Sequence, residues 1–289
     1  MPIDYDALKA VATQDQLVSY RERDAMLYAI GIGFGGNPLD RKELAYAYES
    51  PSLRTVPTFA TVLLPDDFFA DVGWDDRRVV RGSQRLEVYR PLPPAADLLV
   101  NWRVVAAHDR RPDKGGPEKG SRIIVQCEAR LARDDTALFA LGTTLISVNG
   151  SGHGGAFGDA PAHHVLPSRE PDLSCDLETR PDQALLFRLS GGRSPVHADP
   201  EIARAAGFRR PLLQARCTAG IACRAVLKTI CDYDYTLIKS FDVHFTGAVY
   251  PGETLTTDMW QERNVVSFRC TVRERNAVVL DNGKCTLAG

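Results

Sequence analysis

The chain has 289 residues, of which 44% are hydrophobic and 25% charged, and its formal net charge is −2 at pH 7. This is the composition of an ordinary globular protein, long enough for one large domain or two of average size. The lysines and arginines are scattered and form no concentrated basic field, which argues against nucleic-acid binding.

The ends of the chain and its cysteines indicate where the protein works. The N-terminal residues lack the apolar segment of a secretory signal, and no apolar stretch approaches the ~20 residues of a membrane span. Residues 285–289 do not form a peroxisomal address of the Ser-Lys-Leu type. Seven cysteines at irregular spacing are typical of reduced thiols rather than of a disulfide framework. We therefore expect a cytoplasmic protein.

The first predicted element is a helix over residues 15–30, followed by a glycine-rich turn over 31–38. The turn matches the G-x-G-x-x-G fingerprint of dinucleotide-binding proteins, but that motif needs a strand before it and a helix N-terminus after it. Here the preceding segment is helical and polar, and Asn37 and Pro38 follow. We interpret the glycines as the end of a helix.

Strands are predicted from this turn up to about residue 150. Residues 122–131 alternate apolar and polar side chains, a period of two that places one face of a strand against a core. Residues 149–182 are rich in glycine, serine and proline, which is a linker composition. Further strands of this half are predicted at 86–88, 98–107 and 137–148.

The pattern then restarts. Residues 212–231 are predicted to form a long apolar helix, and strands are predicted at 241–249, 254–261, 265–272 and 278–287. Two halves that each combine an antiparallel sheet with a helix indicate a duplication. The fold class is then α+β, with two antiparallel sheets that each wrap a helix, a double hot-dog. The expected domains are an N-terminal repeat over 1–150, a linker over 151–182 and a C-terminal repeat over 183–289.

The most informative segment spans residues 187–200 and reads Phe-Arg-Leu-Ser-Gly-Gly-Arg-Ser-Pro-Val-His-Ala-Asp-Pro. It resembles the hydratase-2 motif of the MaoC-like enoyl-thioester hydratases, L-S-G-D-x-N-P-L-H-x-D-P. His197 matches the histidine of the motif, whereas Gly192 replaces its aspartate and Ser194 its asparagine. Further blocks extend the resemblance over nearly the whole chain, among them 28–33, 44–49, 86–93, 206–213 and 249–255.

The resemblance implies a hydro-lyase that adds water to a trans-2-enoyl thioester, giving the (3R)-3-hydroxyacyl product, or catalyses the reverse dehydration. It implies no cofactor, since coenzyme A or an acyl-carrier protein is part of the substrate. In this family the aspartate and histidine of the motif hold the water. A backbone N–H at the start of the central helix receives the thioester carbonyl, in an Ile-Leu-His-Gly segment that reads Leu-Leu-Gln-Ala at 212–215 here.

Carried over to this chain, the resemblance makes His197 the acid/base group and the backbone N–H of Ala215 the oxyanion donor. Gly192, Ser194 and Gln214 are active-site positions altered from the family. The N-terminal half is expected to supply a tunnel for the acyl chain. Candidates for contact with the substrate are Arg193, Cys217, Lys114 and Arg209.

Three of these substrate-contact candidates have a second interpretation. Cys217 stands near a helix N-terminus, where the pKa of a thiol falls, but the family also favours cysteine there, and packing is the preferred interpretation. Lys114 and either Arg209 or Arg210 could meet the phosphates of coenzyme A, or be plain surface.

Three other features point away from catalysis. Asp199 is expected to cap a helix that begins at Pro200. His163 and His164 have no cysteine or carboxylate at metal-binding spacing, so no metal site is predicted. His244 lies in an alternating strand and is expected to pack.

Two functions remain open. The first is a hydratase or dehydratase of fatty-acid or polyketide metabolism, in which His197 works with water and Ser194 alone or catalyses a related reaction that needs a single acid/base group. The second is a catalytically silent protein that binds an acyl thioester, or a partner subunit of an active relative, because Gly192 removes the carboxylate. A homodimer is expected in either case.

Overall fold

The computed structural model describes residues 3–63, 79–110, 120–148, 152–153 and 155–289. Its strands are β1 (Ile3–Asp4), β2 (Ala12–Tyr20), β3 (Val79–Val88), β4 (Ala96–Arg110), β5 (Gly120–Leu131), β6 (Ala137–Val148), β7 (Gly152–His153), β8 (Leu173–Glu178), β9 (Ile238–Phe245), β10 (Thr254–Glu262), β11 (Val265–Val272) and β12 (Ala277–Leu287). Its α-helices are α1 (Tyr5–Lys9), α2 (Glu22–Gly31), α3 (Arg41–Leu44), α4 (Gln183–Phe187), α5 (Pro200–Ala205) and α6 (Ala215–Thr229). Its 3-10 helices are Pro57–Val62, Arg188–Ser190, Pro195–His197, Tyr235–Leu237 and Arg273–Arg275.

The main sheet contains ten strands in the order β2-β4-β5-β6-β3-β9-β12-β11-β10-β8. All neighbouring strands in it are antiparallel. The N-terminal half of the chain supplies β2 to β6, and the C-terminal half supplies β8 to β12. The halves join through β3 and β9, where Leu86 lies opposite Phe241. The two predicted sheets are thus continuous with each other, and the α+β architecture of two hot-dog halves is confirmed.

The helices of the two halves pack against each other in one core. Every residue of α6 from Arg216 to Leu227 is buried, and Tyr28 and Ala29 of α2 are fully buried. The helices meet at Gly220, where an added Cβ would lie 2.6 Å from Cγ2 of Ile32 and 2.8 Å from the hydroxyl oxygen of Tyr28. Only glycine permits this approach without displacing the neighbouring side chains.

A buried ion pair ties α6 to the N-terminal half. The carboxylate of Glu43 accepts hydrogen bonds from Nη2 of Arg224 at 2.6 Å and from the hydroxyl of Tyr233 at 3.0 Å. The side chains of Glu43 and Arg224 are only 3% and 10% exposed. Removing one partner of such a pair leaves an uncompensated buried charge, so the pair holds α6 in a fixed position.

The helix predicted over residues 15–30 is correct only in its second part. Residues 12–20 form the edge strand β2, and α2 begins at Glu22, where the carboxylate of Asp24 accepts a hydrogen bond from the N–H of Arg21 at 2.9 Å. The helix ends at the predicted glycines, with Gly33 at a φ of +95°. The strands predicted in both halves are confirmed, most of them with longer bounds, except that the strand predicted at 241–249 spans Ile238–Phe245. The predicted helix over 212–231 is α6, which is shorter at both ends.

The segment predicted as a linker contributes one strand to the sheet. Residues 173–178 form β8, which pairs with β10 at the edge. The indole N–H of Trp260 in β10 donates to the carbonyl of Arg169 at 2.7 Å and holds the preceding residues against this edge. The division of the chain at 151–182 stays a prediction.

The cysteines lie in the interior of the protein. All seven are buried and none forms a disulfide. Within the parts of the chain that the structure describes, no helix is long and apolar enough to cross a membrane.

Candidate active site

The motif loop is shaped by two glycines and a helix cap. Gly191 and Gly192 have φ values of +139° and +76°, a region that residues with a Cβ avoid. After them the chain makes a 3-10 turn and enters α5 at Pro200. The side chain of Asp199 accepts hydrogen bonds from the N–H groups of Glu201 at 2.8 Å and Ile202 at 3.3 Å. The predicted capping role of Asp199 is confirmed.

His197 is half-buried at the end of this turn and is held against the segment that precedes α6. Its Nδ1 lies 3.0 Å from the carbonyl oxygen of Leu212, and the N–H of Leu212 donates to the carbonyl of Val196 at 3.2 Å. Because a carbonyl only accepts hydrogen bonds, Nδ1 of the neutral imidazole carries the hydrogen and Nε2 carries the lone pair. The loop therefore fixes both the orientation and the tautomer that a general base needs.

The helix α6 begins three residues after Leu212, the residue that holds this histidine. The N–H of Leu213 donates to the carbonyl of Val249 at 2.8 Å, which fixes the entry to the helix, and Gln214 is its N-cap. The N–H of Ala215 is one of the first N–H groups of the helix, which have no carbonyl partner within it and lie at its positive end. Ala215 has an ordinary helical backbone, so the alanine leaves this donor group intact.

Two of the altered positions are in contact. A Cβ added to Gly192 would lie 3.2 Å from Nη2 of Arg216 and 3.6 Å from Cγ of Gln214. The amide of Gln214 is buried and donates to the carbonyl of Ala184 at 2.9 Å, so the side chain is directed into the core. A side chain at position 192 would therefore point at the guanidinium of Arg216.

Arg216 is the site residue that sequence reasoning missed. It is 5% exposed, and its Nη1 donates to the carbonyl of Thr61 in the N-terminal half at 3.1 Å. The signal in the sequence is an arginine in the first turn of a mainly apolar helix. A guanidinium therefore lies beside position 192, where the family motif has an aspartate.

The remaining predicted residues of the motif loop are at its surface. The side chains of Ser194 and Arg193 are exposed. Ser194 supports His197 through its backbone, because its carbonyl accepts the N–H of His197 at 3.3 Å. The carbonyl of Arg193 accepts a hydrogen bond from Nη2 of Arg188 at 3.4 Å.

Of the substrate-contact candidates outside the motif loop, Cys217 is in the core and Arg209 is at the surface. Cys217 is fully buried, with its Sγ 3.4 Å from the carbonyl oxygen of Gly31, and burial raises the pKa of its thiol. This position favours packing over contact with a substrate. Arg209 is exposed and pairs with Glu253, whereas Lys114 lies outside the described residues.

His163 and His164, in the segment before β8, contact strands of the C-terminal half. Nδ1 of His163 is 3.1 Å from Nε2 of His244 in β9, and Nε2 of His164 is 2.8 Å from Oγ of Ser267 in β11. Burial, followed by His163 and Arg85, lowers the pKa of His244 to about 4. The described part of the chain contains no group of three side chains able to hold a metal ion.

Comparison with known families agrees with this arrangement. Residues 163–282 match the family model described as the MaoC like domain. Residues 18–149 match the MFE-2 hydratase 2 N-terminal domain. The chain therefore belongs to the MaoC-like family, and specifically to the members whose N-terminal half is of the hydratase 2 type.

Individual relatives extend the match over the full length. The chain is 33% identical to peroxisomal enoyl-CoA hydratase 2 of Arabidopsis thaliana, over 95% of this chain and 93% of that protein. It is 34% identical to the enoyl-CoA hydratase ChsH3 of Mycobacterium tuberculosis, over 97% of each. The crystal structure of a MaoC-like dehydratase from Phytophthora capsici superposes with a TM-score of 0.85 at 28% identity, over 99% of this chain and 98% of that one.

Proposed function

We propose that this protein catalyses the reversible hydration of a trans-2-enoyl thioester to a (3R)-3-hydroxyacyl thioester, with His197 as its acid/base group. The observation that carries the proposal is the clamp between Nδ1 of His197 and the carbonyl of Leu212, three residues before Ala215 at the start of α6. The general base, His197, and the oxyanion donor, the N–H of Ala215, are thus both positioned by the segment that leads into α6. The family membership supports the same reaction.

The chemistry needs one proton removed and one proton delivered. Nε2 of His197 takes a proton from water as the oxygen attacks Cβ, and the electrons of the double bond move onto the thioester oxygen. The N–H of Ala215 and the positive end of α6 stabilise the enolate that forms. The imidazolium then returns a proton to Cα, so that the elements of water have been added and His197 is neutral again.

The absence of a carboxylate at position 192 limits the rate. One positioned acid/base group contributes typically about 10²–10⁴-fold. The water in this site is oriented by His197 without the second acceptor that the motif aspartate provides. We therefore expect slow but measurable turnover rather than the full activity of a two-residue site.

The direct test is turnover by the purified protein. A trans-2-enoyl-CoA is added, the loss of the conjugated enoyl absorbance is followed, and the configuration of the product is determined by chiral chromatography. The (3R)-3-hydroxyacyl product is the expected result. Absence of turnover together with tight binding of the thioester contradicts the proposal.

The second candidate function is a silent acyl-thioester-binding protein or a partner subunit. The observation that favours it is the loss of the motif carboxylate at Gly192, with the guanidinium of Arg216 beside that position. The turnover assay distinguishes the two functions, because only the hydratase converts the enoyl thioester. A tunnel formed by the N-terminal half, a homodimer and a cytoplasmic location remain predictions that accompany both.

A further inference from the structure

Gln84 of β3 carries an amide that is buried without a hydrogen-bond partner. The side chain is 2% exposed, and neither its Oε1 nor its Nε2 forms a hydrogen bond with any described residue. Among the described side chains it is the only one of which two buried polar atoms lack a partner. Burying an amide in this state costs free energy that an apolar side chain of the same size would not. An amide in such a position calls for a polar group that the chain itself does not supply.

The amide faces the interior of the protein. Gln84 lies opposite Val243 of β9 and opposite Thr143 of β6, and all three side chains are on the buried face of the sheet. Leu86, two residues further along β3, is on the same face and buried, whereas Arg85 between them is partly exposed on the other face. A group that meets the amide therefore lies in the core, between the sheet and the helices.

Three hydroxyl groups of the N-terminal half are in the same condition. The hydroxyl oxygens of Tyr28, Thr55 and Thr58 are buried and have no hydrogen-bond partner among the described residues. Thr58 is on the 3-10 helix Pro57–Val62, which packs against both β3 and α6. We call Tyr28, Thr55, Thr58 and Gln84 the interior polar group. Donors and acceptors thus accumulate in the core of the half that is expected to receive the acyl chain.

The interior polar group lies beside the first turns of α6. The hydroxyl oxygen of Tyr28 is 2.8 Å from the position of a Cβ on Gly220, and the carbonyl of Thr61 accepts a hydrogen bond from Nη1 of Arg216 at 3.1 Å. Gly220 is five residues beyond Ala215, which is about 7.5 Å along the helix axis. An acyl chain that has its thioester at Ala215 and extends along α6 therefore reaches these polar atoms within its length.

We propose that the interior polar group selects an acyl chain that carries a hydroxyl group. The inference rests on the proposed function and on a tunnel in the N-terminal half, because it names the acyl chain that the site accepts. An amide both accepts and donates hydrogen bonds, and a hydroxyl group is a small substituent that does the same. A plain alkyl chain would leave the amide of Gln84 unpaired. All four members of the group are neutral, so a charged substituent would be desolvated without an opposite charge among them.

The test compares acyl chains that differ in one hydroxyl group. Trans-2-enoyl-CoA esters of increasing chain length are prepared in pairs, one with a terminal methyl group and one with a terminal hydroxyl. For the wild type we expect kcat/KM to favour the hydroxyl ester about 10-fold at one chain length, the size of one buried hydrogen bond. Gln84→Met, which keeps the length of the side chain but neither polar atom, should abolish that preference. Gln16→Met, at an exposed position of the edge strand β2, is the matched control and should retain it.

A second variant keeps the test valid if Gln84→Met does not fold. Thr58→Val removes one hydroxyl of the interior polar group with little change of shape. It should reduce the preference for the hydroxyl ester at the same chain length and leave kcat/KM for the methyl ester unchanged.

Binding separates this inference from the proposed function. Calorimetry with saturated acyl-CoA pairs, which cannot be hydrated, should show the hydroxyl ester binding about 10-fold more tightly to the wild type and no more tightly than the methyl ester to Gln84→Met. If the wild type hydrates no enoyl ester, the proposed function fails while this binding still decides the inference. Equal affinity for both esters at every chain length, as an internal water bound to the amide would give, overturns the inference. A preference that survives in both Gln84→Met and Thr58→Val overturns it as well.

Discussion

The structure changes the expected outcome of one substitution in particular, the return of the motif aspartate at position 192. The motif alone suggests that Gly192→Asp should revive a second acid/base group. In the folded protein, however, the new Cβ would lie 3.2 Å from Nη2 of Arg216. A carboxylate on that Cβ is within reach of the guanidinium, which favours an ion pair over contact with a water. We expect Gly192→Asp alone to raise turnover less than 10-fold, well short of a typical acid/base contribution.

Two effects set this magnitude. An adjacent guanidinium holds the pKa of a carboxyl well below its ordinary range, and a base works best when its pKa lies near the working pH. In addition, position 192 has a φ of +76°, where a residue with a Cβ costs about 1–2 kcal/mol in stability. Replacing Arg216 by leucine as well removes the guanidinium that would lower the pKa of the new carboxyl. The double variant Gly192→Asp/Arg216→Leu should therefore gain about 10²–10⁴-fold over Arg216→Leu.

The assay is a double-mutant cycle of four proteins in the enoyl absorbance measurement. The wild type, both single variants and the double variant are compared, and thermal melting of each confirms that it is folded. A coupling between the two positions is the expected result. The reasoning is refuted if Gly192→Asp alone gives the full gain, or if the double variant is no faster than Arg216→Leu.

Three further predictions concern stability. Gly220→Ala should lower stability by about 1–3 kcal/mol, because its Cβ would lie 2.6 Å from Ile32 Cγ2. A melting temperature no lower than that of Ala222→Ser would contradict this. Glu43→Gln should cost about 3–5 kcal/mol in urea unfolding, since it leaves the buried Arg224 without its counter-charge, and a cost below 1 kcal/mol would be inconsistent with the ion pair. For His244, whose pKa is lowered from 6.5 to about 4, the unfolded chain binds the proton more readily, so stability should fall as pH drops from about 6.5 to about 4. His244→Gln should flatten that decline in urea titrations at pH 7 and pH 5, and an unchanged slope would argue against it.

The sheet was predictable where one face of a strand is buried. Residues 122–131 alternate because one side of β5 packs on the core, and the pattern predicts the strand correctly. The edge strand β2 was missed for the opposite reason. Most of its residues are exposed, Leu17 at 63%, so they carry no period of two, and the pairing with β4 that makes it a strand is not visible in its own sequence.

The site was predictable in its residues but not in its contacts. The motif identified His197 and the altered position Gly192 from their order along the chain. The contact between Gly192 and Arg216 joins residues 24 positions apart and exists only because the loop packs on the start of α6. Such contacts follow from tertiary packing, which local sequence patterns do not encode.

The central claim, that His197 is the acid/base group of a hydratase, is tested most directly by His197→Asn. The asparagine amide can still donate to the carbonyl of Leu212 and so preserve the loop, but it has no group equivalent to Nε2. Measured as the loss of enoyl absorbance with a trans-2-enoyl-CoA, turnover should fall about 10²–10⁴-fold while the thioester still binds. Turnover equal to that of the wild type would contradict the account.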